Sequence, residues 1–334
     1  MTLLSIRDLH VRYTTSDGTV RAVDGVDLDI PAGSIVGLVG ESGCGKSTLA
    51  RALMGVLPGT GHIAGGTITF EGRDLITLAE RERRALRWRR MSFVPQTAMN
   101  ALDPVQRLRA QMLEVLCERG GLSRSVALAR AEQLMHLVGL DPARLSDYPH
   151  QFSGGMRQRA SIALALALEP SLVIADEPVT ALDVIVQRQV LDVLRELQSR
   201  LNLAMILVTH DMAVIAYTCD RAAVMYAGKV VESGPVRAVL EAPFHPYTMG
   251  LTHAFPDMRA DEVILLPIEG APPSLLAPPG GCRFAQRCPF VEARCHDMAP
   301  PLIEVAPDHL AACWRSDAAE ELRAQAARPQ TWAR

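Results

Sequence analysis

The chain has 334 residues, enough for one large domain or one domain with an appendage. Its 49% hydrophobic share with 4% aromatics describes an ordinary globular protein and argues against disorder, and a net charge of -3 carries no basic footprint of a nucleic-acid binder. The most apolar stretch, 160–175, is interrupted by Glu169 and Pro170, so no run reaches the ~18 uncharged apolar residues of a membrane span. The N-terminus has no basic segment followed by an apolar run, and a cytoplasmic location is expected. There the seven cysteines stay reduced, and any that group together point to a metal or cluster site before disulfides.

In chain order, Ser34 to Gly40 is a short apolar run that breaks into glycines and resumes as a helical pattern from Lys46 to Met54, predicting strand, loop and helix. From about residue 98 to 155 the pattern is helical, with Ala, Leu, Arg and Glu at helix spacing, and predicts a helical subdomain inserted in a sheet domain. Buried runs at Leu172 to Ala175 and Ala204 to Thr209, each followed by a helical segment, predict a mostly parallel sheet covered on both faces. Ala222 to Ser233 alternates like a closing hairpin. Composition then shifts: Pro272, Pro273, Pro278, Pro279, Gly280 and Gly281 precede a group of cysteines, marking an appendage over 241–334 after a domain over 1–240. The stretch from Asp317 reads as a surface helix or frayed tail. Arg81, Arg83, Arg84, Arg87, Arg89 and Arg90 read as a solvated helix face, the alternative being approach to anionic lipid.

Gly40-Glu41-Ser42-Gly43-Cys44-Gly45-Lys46-Ser47 matches the phosphate-loop pattern in the required strand-to-helix setting. Glycines let backbone N–H groups turn inward around phosphate oxygens and the helix N-terminus adds positive potential. Lys46 neutralises the outer phosphates, and Ser47 offers a hydroxyl to magnesium. Asp176 and Glu177 end a buried strand, where an Asp can hold magnesium and the next Glu can polarise water. Acids at strand ends are also common surface caps, and the phosphate loop upstream is what shifts the balance towards chemistry. Ser153-Gly154-Gly155-Met156 opens a helix and forms a second anion-binding N-terminus in the same chain.

With that run the sequence resembles the ABC ATPases over nearly its whole length. The resemblance implies a phosphate-loop α/β fold with an inserted helical subdomain and a small cysteine-containing extension, ATP hydrolysis, and roles for residues in order. The loop from Gly40 through Ser42, Gly43, Cys44, Gly45 and Lys46 to Thr48 would hold ATP, with Tyr13 stacking on adenine. Gln96 would sense the γ-phosphate, Ser47, Gln96 and Asp176 would hold Mg2+, and Glu177 and His210 would act on the reacting phosphate. Ser153 to Met156 would be the signature and Asp183 an interface aspartate. Phe152 and Met156 depart from the commonest signature, Leu-Ser-Gly-Gly-Gln, and a thioether does not replace an amide's hydrogen bonds. Ser-Gly-Gly-Met-x-Gln-Arg is usual in the peptide-importer branch. His245-Pro246-Tyr247 looks like the segment that opens that branch's C-terminal extension, with no evident chemistry of its own.

Cys282, Cys288, Cys295 and Cys313 are separated by five, six and seventeen residues. Zinc ribbons bring close C-x2-4-C pairs, absent here, and the loose spacing suits an iron–sulfur cluster better. The resemblance points to [4Fe-4S]; zinc and unliganded thiols are the alternatives, and His296 and His309 are rival ligands although such histidines are more often surface or supporting residues. Cys44, Cys117 and Cys219 read as small buried or spacer residues, although Cys44 inside the loop would make it thiol-sensitive.

One phosphate loop and one signature make a lone chain incomplete. The resemblance implies a heterodimer with a second ABC ATPase subunit, two transmembrane permease subunits and an extracytoplasmic substrate-binding protein, with this chain peripheral on the cytoplasmic face of the inner membrane and no nucleic acid involved. Dipeptides or oligopeptides are the expected cargo, with nickel, glutathione or sugars as alternatives. Two other readings are a soluble ABC-type ATPase acting on nucleic acid or ribosomes, and a regulator that binds nucleotide without hydrolysis. The first would bring two cassettes or long insertions, and retention of Glu177 and His210 opposes the second.

Overall fold

The computed structural model describes residues 1–96, 101–253 and 268–332. The chain forms two compact units, one of Met1–Leu3, Ile30–Ile35 and Phe70–Val208, the other of Leu4–Asp29, Val36–Thr69 and Thr209–Arg334. The boundary expected near residue 240 falls inside the second unit, and residue 98, the expected start of the helical segment, lies outside the described residues.

In the first unit β6 (Met91–Val94), β7 (Leu172–Asp176) and β8 (Ala204–Thr209) run parallel, with Met91 opposite Leu172 and Leu172 opposite Ala204. Every residue of β7 and β8 is buried, as an apolar run without alternation requires of interior strands. The helices are α2 (Glu80–Leu86), α3 (Leu108–Leu113) continued by a π-helical turn, α4 (Arg124–Leu137), α5 (Gly154–Ala165) and α6 (Val184–Leu201). Glu80 pairs with Arg83 and Arg84 on α2 and with Arg87 just past its end, and α2 buries none of its residues. Within the described part of the 98–155 stretch lie α3 and α4, and on α4 Ala127, Ala131, Leu134 and Met135 bury one stripe.

In the second unit β1 (Thr2–Thr15) lies between β2 (Gly18–Pro31) and β4 (Gly61–Phe70), while β5 (Arg73–Asp74) belongs to the first unit. On β2, buried Val26, Leu28 and Ile30 alternate with exposed Asp27 and Asp29, the period of a half-buried strand. β3 (Ile35–Val39) leads through the glycine loop into α1 (Lys46–Met54), with the bounds the helical pattern predicts. β9 (Arg221–Tyr226) runs parallel to β3 and turns at Ala227 and Gly228, φ 46° and 84°, into antiparallel β10 (Lys229–Pro235). Two successive positive-φ residues give the turn whose twist matches a hairpin.

The extension continues this layer rather than standing apart. β12 (His309–Ala311) pairs antiparallel with β10, placing Ala311 opposite Glu232, and β11 (Ile303–Ala306) pairs with β12. Helices α7 (Met212–Thr218), α8 (Val236–Glu241), α9 (Pro246–His253), α10 (Ala293–Asp297) and α11 (Ala319–Ala326) complete the unit. On α11, Ala319, Leu322 and Ala326 are buried and the Trp332 indole donates to the Ala326 carbonyl, so this stretch is a packed helix and not a frayed tail. Small apolar residues at i, i+3 and i+7 give it one face to bury.

Candidate functional site

The phosphate loop is shaped by its backbone. Gly45 sits at φ 109°, and a Cβ there would lie 2.2 Å from the Ala22 carbonyl oxygen, so no side chain fits where α1 begins. Lys46 is buried, and its ammonium donates to the carbonyls of Gly40 at 2.8 Å and Glu41 at 2.9 Å, curling the loop around its own cation. The Gly228 N–H holds the Cys44 carbonyl at 2.8 Å. Cys44 itself is buried, and that burial pushes its thiol up from the ordinary cysteine range, against the thiol sensitivity expected of it. The loop therefore fits a polyphosphate: Ser42, Gly43, Ser47 and Thr48 flank a helix N-terminus beside one buried lysine. Also in the second unit, Tyr13 lies near the end of β1 against Gly61, and His210 is exposed between β8 and the start of α7.

In the first unit, Asp176 is buried at the last position of β7 and Glu177 follows in the left-handed region at φ 48°. A non-glycine residue held there stores local strain of the kind found at functional positions. Glu177 Oε2 accepts from the Gln96 amide at 2.8 Å and from the Thr180 hydroxyl at 2.9 Å. Two residues singled out separately in the sequence, Gln96 and Glu177, are thus joined directly.

The signature serine caps its helix, Ser153 Oγ accepting from the Met156 N–H at 3.3 Å. A Cβ on Gly155 would come 2.2 Å from Val186 Cγ1, so this glycine is set by the approach of α6. Gly154 faces Leu182 more loosely. Asp183 caps α6 in the same way, accepting from the Val186 N–H at 3.0 Å.

Cys282, Cys288, Cys295 and Cys313 line a single pocket with Phe284 and Trp314 among its other walls. Among the described residues no group of three or more His, Cys, Asp or Glu is arranged to hold a metal ion. The Arg315 N–H donates to Cys313 Sγ at 3.4 Å. Burial pushes the Cys282 and Cys288 thiols up, and Cys313 up to about 12. His309, a rival ligand in the sequence, is committed elsewhere: buried, it pairs with the fully buried Glu232 at 2.8 Å. Glu232 also accepts from the N–H groups of Phe244 and His245.

The contacts of four further residues, Glu41, Tyr247, Arg287 and Thr180, escape a reading by motif. Glu41, a variable position of the loop, has its N–H bonded to the Tyr247 hydroxyl at 2.9 Å and its carboxylate to Arg287 Nη1 at 2.9 Å. Tyr247, in the His-Pro-Tyr segment read as without chemistry of its own, therefore has a structural task at the phosphate loop. Thr180 escaped because a hydroxyl between Glu177 and Asp183 carries no distinctive spacing.

A glycine loop opening α1 and a Ser-Gly-Gly run capping α5, in an α/β scaffold with parallel strands, put the molecule in the class of ATP-binding cassette ATPases. The model of the ABC transporter family matches residues 23–180, and that of the oligopeptide/dipeptide transporter C-terminal region matches residues 231–295. The chain is 44% identical over 319 residues to a probable peptide ABC transporter ATP-binding protein of Sinorhizobium fredii, covering 94% of this chain and 95% of that protein. It is 45% identical to the oligopeptide transport ATP-binding protein OppD of Salmonella typhimurium, covering 94% and 93%, and 43% identical to the dipeptide transport ATP-binding protein DppD of Bacillus subtilis, covering 94% and 95%. Among solved structures, the dimeric ATP-binding cassette MJ0796 bound to ADP and Pi is 26% identical with a TM-score of 0.63, covering 70% of this chain and 99% of that one. The chain belongs to the family of ABC transporter ATP-binding proteins and is an ATPase. Among the described residues no helix is long and apolar enough to cross a membrane.

Proposed function

We propose that the chain energises uptake of dipeptides or oligopeptides, hydrolysing ATP while partner permease subunits carry the cargo. The observation that carries this reading is the oligopeptide/dipeptide transporter C-terminal region following the ABC transporter region in one chain, over a length shared with peptide-importer ATP-binding proteins. No such support exists for a soluble cassette acting on nucleic acid or ribosomes.

The residues would divide the work as follows. Gly40 to Thr48 bind the phosphates, Lys46 leaving its loop carbonyls for the outer phosphate oxygens, and Tyr13 stacks on adenine. Ser47, Gln96 and Asp176 would hold Mg2+, which when bound neutralises phosphate charge. Glu177 accepts the proton of the attacking water, and Gln96, which now donates to Glu177, exchanges that partner when nucleotide binds. His210 donates to the terminal phosphate. Ser153 to Met156, with Asp183, complete the nucleotide grip of a second, related ATPase subunit, because a single chain has one loop and one signature. ATP would then favour the closed heterodimer, and hydrolysis would reopen it. Two permease subunits and an extracytoplasmic binding protein complete the assembly, with this chain on the cytoplasmic face of the inner membrane.

Cys282, Cys288, Cys295 and Cys313 would hold a [4Fe-4S] cluster, which when bound cross-links the extension. Supporting this are the shared pocket, the absence of close cysteine pairs and the N–H group aimed at Cys313 sulfur. Protein purified without oxygen should be brown, with absorption lost in Cys288→Ser; colourless protein holding stoichiometric zinc would reject the cluster. For the transport reading, the assembled complex in vesicles should accumulate a labelled tripeptide when ATP is supplied. Uptake of nickel, glutathione or sugar with no peptide uptake would overturn the cargo.

A further inference from the structure

All three polar groups of Glu41 are engaged. Its N–H donates to the Tyr247 hydroxyl, its carbonyl accepts from Lys46 Nζ at 2.9 Å, and its carboxylate accepts from Arg287 Nη1 through both oxygens at 2.9 Å. Arg287 is itself held on every side. Nε donates to the Glu269 carbonyl at 3.0 Å, Nη2 to the Ile268 carbonyl at 2.9 Å and Nη1 also to the Tyr226 hydroxyl at 3.2 Å. Its guanidinium lies over the Tyr226 ring, and Tyr226, Tyr247 and Phe284 pack with centroids 4.6 to 5.4 Å apart. Arg287 is 8% exposed and Tyr247 fully buried, so neither contact is a screened surface pair.

A carboxylate in a loop shaped for polyphosphate is an electrostatic liability. It repels the ligand, and it draws the Lys46 cation towards its own backbone. A buried guanidinium fixed by carbonyls on its far side cancels that charge without competing for the phosphates. Arg283, the residue after Cys282, adds a second support. It donates to the Ala227 carbonyl and pairs with Asp24, and the next N–H, that of Gly228, holds the Cys44 carbonyl.

We propose that Tyr247 and Arg287 are positioning residues for nucleotide: from the C-terminal segment they orient and neutralise Glu41, and so set the affinity of the phosphate loop for ATP. The proposal rests on the reading of Gly40 to Thr48 as the ATP site. The chain's cassette region is therefore expected to depend on its own extension to bind nucleotide well.

The test measures MgATP affinity of the full-length chain by titration calorimetry, with melting temperature recorded in parallel. Arg287→Ala should weaken MgATP about tenfold, as expected for an uncompensated charge beside the ligand. Arg287→Ala combined with Glu41→Gln should return to within about threefold of wild type, since the charge needing compensation is gone. In the assembled transporter Arg287→Ala should raise KM for ATP and leave kcat nearly unchanged, a split that general loss of structure would not give. Tyr247→Phe, which removes one hydroxyl, should weaken MgATP severalfold with its melting temperature within a few degrees of wild type, and serves if Arg287→Ala does not fold. Wild-type affinity in folded Arg287→Ala or Tyr247→Phe, or no recovery in the double variant, would overturn the proposal. Failure of the wild-type chain to bind MgATP would instead overturn the ATP-site reading.

Discussion

Two glutamates bracket the chemistry of this chain, and they are held in opposite ways. Glu177, at the end of β7 in the first unit, hangs from an amide and a hydroxyl, both on exposed residues. Glu41, in the phosphate loop of the second unit, is gripped by a buried arginine, a buried tyrosine and a buried lysine. Hydrogen bonds from neutral donors on exposed residues contribute modest net free energy and exchange with water, whereas a contact between buried charged groups is strongly destabilising to break when one partner is lost. A group that must release its partner to meet water or phosphate belongs in the first kind of setting. One that must stay put to keep a binding loop in shape belongs in the second.

The largest effect should come from removing the first glutamate's charge. Glu177→Gln should lower ATP hydrolysis by the assembled transporter by about a thousandfold, in the range general-base removal commonly gives, while MgATP binding persists. Undiminished turnover would remove Glu177 from the role of base, and with it one side of the contrast.

Acid should act on the second region. His245 is buried, which pushes its pKa down from 6.5 to about 3, and its Nδ1 accepts from the Tyr247 N–H. The Glu232 carboxylate accepts from the His245 N–H, and the pockets His245 lines also carry Asp27, Lys229, Arg283, Arg315 and the four cysteines Cys282, Cys288, Cys295 and Cys313. The unfolded chain takes a proton on this histidine below its ordinary pKa and the folded chain does not. Stability is therefore complete above about pH 6.5 and falls by ~1.4 kcal/mol per pH unit as pH drops towards the folded value. Urea unfolding at pH 7 and pH 5 should differ by about 2 kcal/mol, and His245→Asn, which keeps an acceptor at that position, should flatten the dependence between those values. An unchanged slope in that variant would assign the acid sensitivity to other groups.

The smallest effect sharpens the contrast from the first side. Thr180→Ala removes one hydrogen bond from a hydroxyl to the Glu177 carboxylate and should change turnover by about tenfold, in keeping with a net contribution of about 1.5 kcal/mol for a bond to a charged group. A loss as deep as that of Glu177→Gln, measured in the same ATPase assay, would mean that the hydroxyl orients the base and that Glu177 is held as firmly as Glu41.

Elements whose signal is local were legible at once. The helix Lys46–Met54, the buried strands at β7 and β8 and the hairpin of β9 and β10 follow from periodicity, apolar runs and turn chemistry within a dozen residues. The addition of β11 and β12 to the edge of β10 was not legible, because a short strand in a proline-rich stretch finds its partner only through the fold. His309 shows the same limit at the level of one side chain. It reads as a rival ligand in the sequence, but β12 carries it to Glu232 on the neighbouring strand.

Read alone, the sequence determined the family and the local shapes around the candidate site: the glycine loop that opens α1, the acids where β7 ends, and the serine and aspartate that cap α5 and α6. Each of these depends on backbone shape and residue type over a few consecutive positions, where sequence distance and spatial distance agree. Only the tertiary structure decided what holds that site in place. Tyr247 and Arg287 reach Glu41 across 206 and 246 residues of chain, and Gln96 reaches Glu177 across 81. Such partners are chosen by which surfaces pack together, and no local pattern in the chain encodes that choice.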